Sequence, residues 1–86
     1  MTPCETGSVH LGFRVTTDTV EDVKRTVEAI CHKHGAPISS WWQRPSMKAR
    51  KGRPYTVLAR FSDDYSVQVD ADTLCRISAD LEGCSP

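Results

Sequence analysis

Between Val9 and Val15 apolar and polar residues alternate, with Val9, Leu11, Phe13 and Val15 on one side and His10, Gly12 and Arg14 on the other. A period of two sends successive side chains to opposite faces of an extended chain, so VHLGFRV predicts a strand with one buried face. The period then lengthens. Val20, Val23, Val27, Ile30, Cys31 and His34 recur at the spacing of one helical face, while Glu21, Lys24, Arg25, Glu28 and Lys33 fall mostly away from it. This predicts a helix of about four turns. Asp18 with Glu21, or Thr19 with Asp22, offers a capping pair at its start. Gly35 can take the left-handed conformation that closes a helix, and Pro37 prevents its resumption.

Beyond Pro37 the two-residue period returns. ISSWWQ alternates Ile38, Ser40 and Trp42 against Ser39, Trp41 and Gln43, and PYTVLARF sets Tyr55, Val57, Ala59 and Phe61 against Thr56, Leu58 and Arg60. Alternation alone leaves open which tryptophan faces inward. After the turn-forming SDD, YSVQV predicts a returning strand with Tyr65, Val67 and Val69 inward. DADTLCRISADLEG predicts a closing helix, capped by Asp70 or Asp72, with Leu74, Ile77, Ser78 and Leu81 inward and Gly83 as its stop.

The expected fold is α+β: a small two-layer sandwich of order β-α-β-β-β-α, whose four-stranded sheet, mixed or mainly antiparallel, carries two helices on one face. The first strand is expected to reach the second by a helical crossover and pair with it in parallel, the last three forming a meander. The 86 residues suit a single domain, 1–86, with residues 1–7 and 84–86 as loose termini. No apolar run is long enough to span a bilayer, and the N-terminal stretch has neither the basic nor the apolar region of an export signal. A cytoplasmic protein is therefore expected.

Charge changes this picture in one place. The formal net charge is zero, yet residues 44–60 carry Arg44, Lys48, Arg50, Lys51, Arg53 and Arg60 with no carboxylate. Residues 61–86 reverse the sign, with Arg76 against Asp63, Asp64, Asp70, Asp72, Asp80 and Glu82. A local field of this kind can steer a partner even when the total vanishes. The cations concentrate in residues 44–54, a connection longer than the two to five residues that hairpins commonly use, bounded by Pro45 and Pro54. Such a basic loop contributes little to a core and suits binding.

Arginine forks and mobile lysines match phosphate oxygens, and an outward tryptophan can stack on a base or anchor a protein interface. The candidate binding residues are Trp41, Trp42, Arg44, Lys48, Arg50, Lys51, Arg53 and Arg60. The expected function is a non-enzymatic binding module whose basic loop engages nucleic acid or a nucleic-acid-associated protein complex. The alternative is a protein-interaction or inhibitor module that binds an acidic partner surface in competition with nucleic acid. Partners are thus a protein or nucleoprotein complex, or RNA or DNA directly, with a homodimer through the sheet edge as a further route.

Other chemistry is weaker. Cys31, His32 and His34 lack the paired spacing of a zinc site, and Cys31 and His34 also fit the buried helical stripe. Cys75 is placed on or beside the stripe of the second helix, and the cysteines are read as reduced thiols. Asp63 and Asp64 suit a hairpin corner better than paired acid and base, and the glycines are too dispersed for a phosphate-binding loop. No catalytic residue, metal site or cofactor is assigned.

Overall fold

A computed structural model describes residues 2–43, 52–61 and 68–83. Its elements are β1 (Glu5–Thr6), β2 (His10–Val15), α1 (Val20–Lys33), β3 (Ser40–Gln43), β4 (Tyr55–Arg60) and α2 (Ala71–Gly83). The fold is the small α+β sandwich expected, a four-stranded antiparallel sheet with two helices. The strand order across the sheet is β1-β2-β4-β3. The strand expected at 65–69 lies largely outside the described residues; of its last two positions, Val69 packs against the core and its N–H donates to the Ser8 carbonyl at 2.8 Å.

Two expectations are corrected by the pairing. The first long strand, β2, does not pair in parallel with β3. It pairs antiparallel with β4, from His10 opposite Arg60 to Val15 opposite Tyr55, and β4 in turn holds β3 on its other side. The crossover through α1 therefore skips a position, and β4 fills the gap with two full ladders of hydrogen bonds. The N-terminal residues are not loose throughout either. Gly7 and His10 exchange backbone hydrogen bonds at 2.9 and 3.3 Å, a tight turn that folds Glu5 and Thr6 back against Gly12 and Leu11.

The core forms on one face of the sheet. Leu11, Phe13 and Val15 of β2, with Tyr55, Val57 and Ala59 of β4, meet Val27 and Cys31 of α1 and Ile77 and Leu81 of α2. These are the positions that the two periodicities select. Each large apolar side chain so buried contributes about 1.5–3 kcal/mol. Cys75, by contrast, is exposed, beside the stripe and not in it.

The helix ends follow local chemistry. Thr19 is the N-cap residue of α1 but makes no side-chain cap bond; its Oγ1 instead accepts from the Thr16 N–H at 3.0 Å. Neither expected capping pair forms, because the TTDT turn claims the hydroxyl first. At the other end Gly35 has φ +74°, and the N–H groups of Ala36 and Gly35 donate to the carbonyls of Cys31 (2.9 Å) and His32 (3.1 Å). This is the Schellman closure, with Ala36 and Cys31 both in the core. Asp70 caps α2, accepting from the Thr73 N–H at 2.7 Å.

The two helices are tied by Asp80, whose Oδ2 lies 2.6 Å from His34 Nε2 and 3.5 Å from Lys33 Nζ. Hydrogen bonding from His34, aided by the Lys33 and His34 charges against a smaller cost of burial, holds the Asp80 carboxyl below its ordinary range. The bonds from Thr73 lower Asp70 likewise. A carboxylate depressed on folding stabilises the folded state above its unfolded pKa, and that contribution disappears as pH falls through the folded value. The window thus lies below about 4. Asp70→Asn and Asp80→Asn should each lower the thermal midpoint at pH 6, with the gap from the parent closing as melts are repeated at progressively lower pH below about 4.

Gly12 is the most closely approached of the glycines. A Cβ there would stand 2.9 Å from Glu5 Cβ and 3.0 Å from Leu58 Cδ2, whereas one at Gly83 would meet nothing within 4 Å. Gly12→Ala is expected to cost about 1–3 kcal/mol in urea unfolding, by forcing β1 off the sheet or Leu58 from its rotamer. Gly83→Ala is the control, with no loss expected.

Candidate functional site

Because β2, β3 and β4 are in register, their outward residues form rows on the face opposite the helices. One row is Gly12, Leu58 and Trp42; the next on one side is His10, Arg60 and Ser40, and on the other Arg14 and Thr56. Leu58 and Thr56, on the central strand, are 7% and 6% exposed. Trp42 is not so covered: among the described residues it is the exposed large apolar side chain, at 50%.

The neighbouring tryptophan has the opposite fate. Trp41 pairs with Ala59 on the helix-covered side and packs against the core. Its ring centroid is 6.3 Å from that of Phe13 at a tilt of 49°. Its Nε1–H donates to Glu28 Oε1 at 2.7 Å, and Lys24 Nζ lies 5.9 Å from the ring centroid. Trp41 is thus an architectural residue that clamps α1 to the edge strand, with its polar atom satisfied. Of the two tryptophans proposed for binding, Trp42 alone is presented outward.

The remaining sequence candidates divide. Arg44, Lys48, Arg50 and Lys51 lie outside the described residues. Arg53 is exposed and follows Gly52, whose φ of +80° makes the turn that returns the chain to β4. Arg60 is half-buried on the face opposite the helices, one row from Trp42, with its Nη2 shielded from solvent. Since β3 and β4 are direct neighbours, residues 44–54 join two paired strands, with Gln43 at one end of the connection and Tyr55 at the other.

Sequence reasoning missed Arg14. It is exposed on the face opposite the helices, in the row beyond Trp42 from Arg60. The signal was present in the polar side of VHLGFRV, but its relation to Trp42 depended on a strand pairing that alternation does not specify.

Cys31 is fully buried, and burial pushes its thiol up to about 11, which keeps it protonated. His34 is engaged by Asp80. Among the described residues no three His, Cys, Asp or Glu side chains are grouped to hold a metal ion. A groove of about 270 Å³ beside Lys24, Trp41, Trp42 and Gln43 is wide open to solvent. No protein-family model, curated protein or solved structure matches the chain. Its chemistry must be read from its own surfaces.

The two tryptophans separate cleanly by experiment. Trp41→Ala should cost about 3 kcal/mol in urea unfolding, through lost packing against Phe13 and α1. Trp42→Ala should change stability by about 1 kcal/mol or less. Iodide quenching of the single-tryptophan proteins should be strong for Trp42 and weak for Trp41.

Proposed function

We propose that the chain is a non-enzymatic binding module in which the basic segment 44–54, with the adjoining Trp42, engages nucleic acid. The observation that carries this reading is the position of Trp42. The half-exposed indole stands on β3, two residues before the segment that gathers Arg44, Lys48, Arg50, Lys51 and Arg53 without a carboxylate. An aromatic surface for a base and a cluster of cations for phosphates are the two ingredients of such recognition, and here they are contiguous in the chain.

The zero net charge is compatible with this reading because the acidic residues of α2 lie away from Trp42. Asp72, Asp80 and Glu82 belong to α2, which packs on the other face of the sheet from Trp42. At physiological salt, exposed charges further apart than about 8 Å are largely screened, so a phosphate at the basic segment would respond to its neighbours more than to the total. Cys4, Cys31 and Cys75 are free thiols, in keeping with a reducing compartment where nucleoprotein is present. Among the described residues no helix is long and apolar enough to cross a membrane.

Charge reversal at Lys48, Arg50, Lys51 and Arg53 tests the reading. The parent protein should shift labelled RNA or DNA at low salt, with log affinity falling linearly as log salt rises. The four-site variant should lose that binding while keeping its circular dichroism spectrum and melting midpoint. Unchanged binding by the variant, or no binding by the parent at low salt, would remove nucleic acid as the partner.

A further inference from the structure

We draw no further inference here: the strongest candidate, the outer edge of β3 with the half-exposed Trp42 on it, carries none because nothing in the structure shows what covers it.

Discussion

β2 and β4, the two central strands, put their odd-numbered residues on one side, and the packing of both helices against that side constrains the rest of the molecule. A one-residue slip of either strand would send Leu11, Phe13 and Val15, or Tyr55, Val57 and Ala59, into solvent, so the register is strongly specified. Once β4 is fixed, β3 has no freedom left: pairing Trp41 with Ala59 puts Trp41 under α1 and forces Trp42 outward. The exposed indole is a consequence of core burial elsewhere.

That dependence explains what could be read from the chain alone. Each long strand shows its two faces in its own alternation, α1 shows its stripe and its Gly35 closure, and Cys31 falls in the stripe that buries it. Relations between segments are another matter. Alternation says that Trp41 and Trp42 point apart, but the choice between them needs the partner strand. The same holds for Arg14, whose distance from Trp42 exists only once β4 lies between β2 and β3. β1 was illegible for a different reason: two residues, Glu5 and Thr6, have no periodicity, and a tight backbone turn places them. Competition between neighbouring polar groups hid the start of α1, where Thr16 takes the hydroxyl that a cap would use.

The two faces of the sheet divide the labour of the molecule. On one, Trp41 joins α1 to β3 through Glu28, Lys24 and Phe13, and Asp80 joins α1 to α2. The acidic residues of α2 belong to this side. The other face carries Arg14, Arg60 and Trp42, and the strand that bears Trp42 runs directly into the basic segment. The 86 residues carry zero formal net charge, and among the described residues the acidic side chains of α2 lie on the helix side of the sheet and Arg14 on the other. Long-range attraction to a polyanion is modest in such an arrangement, and recognition depends on close contacts.

Solution NMR of the isotope-labelled protein, titrated with a short single-stranded oligonucleotide, reads this division most directly. The indole N–H of Trp42 is expected to shift together with the basic segment, while the Trp41 indole and the outward amides of α1 and α2 stay in place. Shifts centred on the helices, or binding that leaves the Trp42 indole unmoved, would contradict it.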